Sequence, residues 1–292
     1  MIKIYADAGS NLYPALLKEK QLDVNVIPMT LNVEDETFFC YKDEINVSEF
    51  SKSFYEKMRN GKKVSTSLIN PYRFMDAFEN DIKEGNEILC FTMAKGISGT
   101  YQAALMAAKE INEKQGKEMV HIIDSKTAGF GEGIQAIHAY ELSKNNVTFN
   151  ELINECESFS FKVRSEFTVD KIKYLAKTGR VNPIVAKGAD LLHIKILLKG
   201  SDESKIVLTN KVPGRKKALS TLAETCLTHI DKSVPQTIFI SHCDDLEAAE
   251  SLKEQLEKGG LTNIEIYDYD LVTGSHVGPG TIALFYIGKN RN

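Results

Sequence analysis

Short apolar runs alternate with amphipathic stretches through the first half of this chain, and that alternation leaves few folds open. Residues 2–6 (Ile-Lys-Ile-Tyr-Ala) have the pattern of a strand and residues 11–20 that of a helix. Residues 87–94 and 119–124 are further strand candidates, followed by helical patterns at 101–113 and 133–144. Strands alternating with helices form βαβ units, which set parallel strands in one sheet between helical layers. Asn70 before Pro71 marks a helix start, since asparagine caps well and proline suits the first helical position. Thr66 and Ser67 are therefore expected in the loop leading into that helix.

Past residue 160 the texture changes. Strand-like segments at 207–211, 237–242, 264–268 and 281–288 accompany helical segments at 216–229 and 246–258. The expected fold class is α/β with two domains. Residues 1–160 form a Rossmann-like, three-layer domain on a parallel sheet, and residues 161–292 an α+β domain. A chain of 292 residues suffices for both, and 42% hydrophobic with 26% charged residues is an ordinary globular balance.

A formal net charge of −4 argues against a protein that lives on nucleic-acid phosphates. The five cysteines are odd in number and form no CxxC pair, so buried free thiols in the reducing cytoplasm are expected. No uncharged apolar run approaches the ~20 residues of a membrane span, and the first residues have the pattern of a strand rather than a signal peptide. No metal or cofactor is expected. There is no phosphate-binding Gly-x-x-x-x-Gly-Lys-Ser/Thr loop, and Ser241-His242-Cys243-Asp244-Asp245 lacks a second cluster of metal-ligand spacing. His121, His138, His193 and His229 have the setting of structural residues. The basic run Arg215-Lys216-Lys217 suits a solvated surface first and a partner contact second.

Ligands of open parallel sheets bind beyond the carboxyl ends of the strands. Ser98-Gly99-Thr100 stands at such an end, just before a long helix, where backbone N–H groups and hydroxyls offer an anion site. Helix capping alone explains Ser98 more simply. The segment also approaches a nucleophile elbow, in which Ser98 and His276 would serve a serine esterase. Thr100 occupies the position of the elbow's second glycine, however, and the turn is longer than usual. Near the carboxyl end, residues 274–280 (Gly-Ser-His-Val-Gly-Pro-Gly) suggest a loop that holds His276 with little packing of its own.

Five segments, in this order, resemble the DegV family. They are Thr66-Ser67-Leu68-Ile69-Asn70-Pro71, Gly96-Ile97-Ser98-Gly99-Thr100-Tyr101-Gln102, Tyr174-Leu175-Ala176-Lys177-Thr178-Gly179-Arg180-Val181, Gly214-Arg215-Lys216-Lys217-Ala218 and the run from Gly274 to Gly280 that contains His276 and Gly278. The resemblance implies a non-enzymatic protein with a long-chain fatty acid, such as palmitate, stearate or oleate, between its domains. It further implies delivery of the acid to a separate ATP-dependent fatty acid kinase; a carrier or sensor unconnected with a kinase is the alternative. Carried over by position, Thr66 and Ser98 hydrogen-bond the carboxylate and His276 stands beside it. Ser67, Gly99, Thr100, Arg180 and Gly278 complete the ligand-binding set. The family's usual Thr-Ser-Gln-Pro-Ser is here Thr66-Ser67-Leu68-Ile69-Asn70, without the glutamine and the first proline.

Overall fold

The computed structural model describes residues 1–41, 47–181 and 193–291. The first half runs β1 (Ile2–Asp7), α1 (Pro14–Glu19), β2 (Val24–Ile27), β3 (Met29–Val33), β4 (Glu36–Cys40) and α2 (Val47–Arg59). It continues through β5 (Val64–Ser67), α3 (Pro71–Lys83), β6 (Glu87–Thr92), α4 (Thr100–Gln115), β7 (Val120–Asp124), α5 (Phe130–Ser143) and α6 (Phe149–Phe159). The second half contains β8 (Val163–Thr168), α7 (Lys173–Lys177), β9 (Ile194–Gly200), β10 (Ile206–Pro213), α8 (Gly214–His229) and β11 (Ile238–His242). It closes with α9 (Leu246–Lys258), β12 (Ile264–Asp268), α10 (Leu271–Val277) and β13 (Ile282–Ile287).

The strands order as β2-β1-β6-β7 in a parallel sheet and as β10-β9-β8-β13-β11-β12 in a mixed one. In the mixed sheet β11 and β12 pair in parallel and the other neighbours antiparallel. The chain is thus a mixed α/β protein with two main sheets, as its patterning requires. The expected helix start holds: Asn70 accepts the Arg73 N–H at 3.0 Å, with Pro71 in the first turn.

Two local expectations fail. Thr66 and Ser67 are in strand β5, which joins β3 and β4 in a small antiparallel sheet, and not in a loop. His276 lies in helix α10, not in an open glycine loop; only the stretch after it, from Gly278 (φ 83°) to Gly280 (φ 78°), turns back into β13. Glycine is a poor helix former, yet Gly274 is required there because a Cβ would overlap the Tyr55 hydroxyl of α2.

Helix α5 lies between the main sheets. It packs against β1 and β6 on one side and β8 and β13 on the other, and Phe130 stacks on Phe239 with ring centroids 4.3 Å apart. One apolar core therefore runs from Ile4 and Phe91 to Phe167 and Phe285. A second core, around Leu222, Leu252 and Ile240, fills the far side of the mixed sheet under α8 and α9.

Polar contacts fix the seam between the halves. Asn11 accepts the Asp270 N–H at 2.8 Å and donates to the Asp268 carbonyl at 3.0 Å. The turn between β9 and β10 reaches the other half, where Ser204 Oγ donates to Asp124 Oδ2 at 2.5 Å. Gly96 makes that approach possible, since a Cβ there would overlap the Ser204 carbonyl oxygen. Gly96→Ala should destabilise the fold by roughly 1–3 kcal/mol, the usual cost of overpacking against backbone. Chemical denaturation checks this, and an unchanged midpoint would show that the turn is not seated so closely.

Candidate functional site

Four elements converge at the seam. Strand β5 brings Thr66, the loop before α4 brings Ile97, Ser98 and Gly99, α10 brings His276, and the chain just after α7 brings Arg180. These residues line one cavity of about 180 Å³. The rest of its wall is almost wholly apolar and includes Met29, Met93, Leu175, Ile206 and Val277.

Thr66 Oγ1 and His276 Nε2 are 2.9 Å apart and hydrogen-bonded. His276 Nδ1 is buried and has no partner among the described residues. Burial, with the nearby Arg180 guanidinium adding to it, pushes the imidazole down to about 4, so the ring is neutral at physiological pH. Arg180 donates from Nε to the Ile97 carbonyl at 3.3 Å and from Nη1 to the Thr178 carbonyl at 2.5 Å. Burial lowers its own pKa.

Ser98 accepts the Thr100 N–H at 3.2 Å, and its hydroxyl lies 2.9 Å from the Thr100 hydroxyl. Ser98 therefore bonds the first residue of α4 from just before the helix while lining the cavity; the N-cap itself is Gly99, without a side-chain cap bond. Among the residues expected in the site, Thr66, Ser98, Gly99, Arg180 and His276 come together. Ser67 is exposed, in register with Thr30, and does not line the cavity. Thr100 does not line the cavity; it bonds Ser98. Gly278 shapes the turn after α10, where a Cβ would overlap the Tyr174 ring. Arg215, the first of the basic run, is engaged inside the protein, with Nη2 2.6 Å from both Asp245 Oδ2 and the Gly280 carbonyl.

No helix among the described residues is long and apolar enough to cross a membrane. Nor does any group of three or more His, Cys, Asp or Glu side chains among them suit a metal ion. All five cysteines are free and buried.

The family model described as "Uncharacterised protein, DegV family" matches residues 1–289. The chain belongs to the DegV family. It is 34% identical over 289 residues to the DegV domain-containing protein CPE0026 of Clostridium perfringens, covering 99% of this chain and 98% of that protein. The fatty acid binding DegV family protein SAG1342 from Streptococcus agalactiae superposes with a TM-score of 0.84 at 26% identity, over 99% of both chains. The Fatty Acid Kinase (Fak) B3 protein of Streptococcus pneumoniae, solved loaded with linoleic acid, shares the fold at a TM-score of 0.81 and 19% identity, over 99% of this chain and 100% of that one.

Behind the cavity this DegV protein buries three carboxyl groups. Asp7 accepts the Gly9 N–H at 2.7 Å and the Met93 N–H at 2.9 Å, and Glu132 accepts the Asp7 N–H at 3.0 Å. Asp270 caps α10, the helix of His276, by accepting the Thr273 N–H at 2.6 Å. Loss of hydration pushes Asp7 up to about 6 and Asp270 up to about 7, and Glu132 rises as well. The proton that Asp7 and Asp270 each hold in the fold stabilises it fully below about pH 4, where the unfolded groups titrate, and that stabilisation is lost as pH rises through 6–7. Asp270→Asn keeps the accepting oxygen but cannot ionise. Relative to the variant, wild type should therefore lose on the order of a few kcal/mol between pH 5 and pH 8. Thermal melts at both pH values check this, and parallel pH profiles would contradict it.

Proposed function

We propose that this protein holds one long-chain fatty acid, such as palmitate, stearate or oleate, and presents its carboxylate to a separate ATP-dependent kinase that forms the acyl phosphate. The observation that carries this reading is the hydrogen-bonded Thr66–His276 pair beside Ser98 in a cavity whose other walls, apart from Arg180 and Thr273, are apolar. Apolar walls suit methylenes, and burying a dozen of them contributes on the order of 10 kcal/mol before the costs of association. A carboxylate in the same cavity must exchange its water for donors. With Nε2 protonated, His276 donates to Thr66 Oγ1, which leaves the threonine hydroxyl free to donate to a carboxylate oxygen. Ser98 supplies a second hydroxyl once Thr100 donates to it. The Arg180 guanidinium adds a favourable field without a direct ion pair.

The fatty acid bound by the Streptococcus agalactiae relative and the kinase named for the Streptococcus pneumoniae one support the same assignment. The free thiols agree with a place inside the cell. Esterase chemistry has no matching geometry: His276 Nε2 bonds Thr66, Ser98 bonds Thr100, and no carboxylate orients His276 Nδ1 among the described residues.

Purified protein should release a fatty acid on denaturing extraction, as read by lipid mass spectrometry. Delipidated Thr66→Val and Ser98→Ala variants should each bind added palmitate less tightly by roughly 1–3 kcal/mol in calorimetric titration, because a charged oxygen loses a donor. Protein that is always empty and refuses added palmitate and oleate would end the proposal.

A further inference from the structure

Beyond the polar seat lies a second cavity of about 40 Å³ that shares Ile97, Ala128, Ile206, Thr273 and Val277 with the first. Through those shared residues it adjoins the cavity that holds Thr66 and Ser98. Phe167 and Phe285 are among its apolar walls, but polar side chains line it too: Thr127 and Ser204 donate to the Ala128 carbonyl and to Asp124, and beside them stand Ser165 of β8 and Tyr269 after β12. These two residues are 8% and 4% exposed. Neither hydroxyl makes a hydrogen bond among the described residues, and neither is one of the buried polar atoms sealed off from open space.

Two glycines keep the hydroxyls uncovered. A Cβ at Gly200 would stand 2.9 Å from Ser165 Oγ, and one at Gly129 would stand 3.1 Å from the Tyr269 hydroxyl. Burial, the largest influence on Tyr269, raises its pKa and holds the phenol protonated, so it is available as a donor. A cavity of this size has room for a water or two, which satisfy both hydroxyls while no lipid is present. A plain hydrocarbon tail displaces that water and returns nothing, leaving two buried polar groups unpaired. A chain that carries its own oxygen restores the lost hydrogen bonds as it displaces the water.

We infer that the second cavity selects an oxygenated fatty acid, one with a hydroxyl or carbonyl along its chain, and that Ser165 and Tyr269 recognise that oxygen. This rests on the fatty-acid reading above and names the substrate class within it.

The test is competition binding to delipidated protein, with palmitate and stearate set against 16-hydroxypalmitate, 10-hydroxystearate and 12-hydroxystearate. At least one hydroxy acid should bind about tenfold more tightly than its unsubstituted parent, the scale of one or two recovered hydrogen bonds. That ratio should fall to about one in the Ser165→Ala/Tyr269→Phe double variant and to an intermediate value in each single variant. The single variants decide the matter if the double variant does not fold. Hydroxy acids that never bind better than their parents would overturn the inference, and so would a preference that survives both substitutions. Failure of every acid to bind, palmitate included, would instead remove the fatty-acid reading itself.

Discussion

The structure depends on one helix with no solvent face at its amino-terminal end. From Phe130 to Ala136 every residue of α5 is buried, with the parallel sheet on one side and the mixed sheet on the other. Two glycines permit this. A Cβ at Gly133 would stand 2.5 Å from the Ser10 carbonyl oxygen, and one at Gly131 would overlap Thr127. Neither sheet completes its apolar core without α5, so the two halves are bound through it rather than through a flexible linker. Water is excluded from its amino-terminal half, and burial of apolar surface is the main favourable contribution to folding.

The cavity is the space this packing leaves open, where Ala128, just before α5, faces Ile97 from one half and Val277 from the other. A site at such a seam draws its groups from both halves, which is how Thr66 and His276 meet across 210 residues of chain. The same burial sets their electrostatics. It keeps His276 neutral and lets Asp270 cap α10 with a carboxyl that still holds its proton near pH 7. A neutral imidazole suits a carboxylate seat, since it orients the threonine hydroxyl without holding the ligand in a tight ion pair.

Elements whose own side chains carry the signal were legible in the sequence. Helix α9 and strand β12 start and end where the periodicity places them, and Asn70-Pro71 opens α3 as expected. Strand β5 was not legible, because Val64-Ser65-Thr66-Ser67 is short, half-exposed and rich in loop-forming residues; its pairing with β3 decides its conformation. Helix α10 was hidden by Gly274 and Ser275, whose weak helix propensity is overridden by the close contact with Tyr55. Thr66, Ser98 and His276, singled out through their motifs, line one cavity. The apolar wall was not legible, since Met29, Leu175 and Ile206 share no local pattern and meet only through the tertiary fold. Arg215 was expected on a solvated surface for the same reason, its partners Asp245 and Gly280 lying 30 and 65 residues away.

The central claim is that Thr66, Ser98 and His276 together seat a fatty-acid carboxylate. The carbon-13 spectrum of [1-¹³C]palmitate bound to the protein reports on that carboxylate directly. One bound carboxyl resonance is predicted, distinct from that of free palmitate and displaced in each of Thr66→Val, Ser98→Ala and His276→Ala. A bound resonance that is identical in wild type and all three variants would place the carboxylate elsewhere and contradict the account.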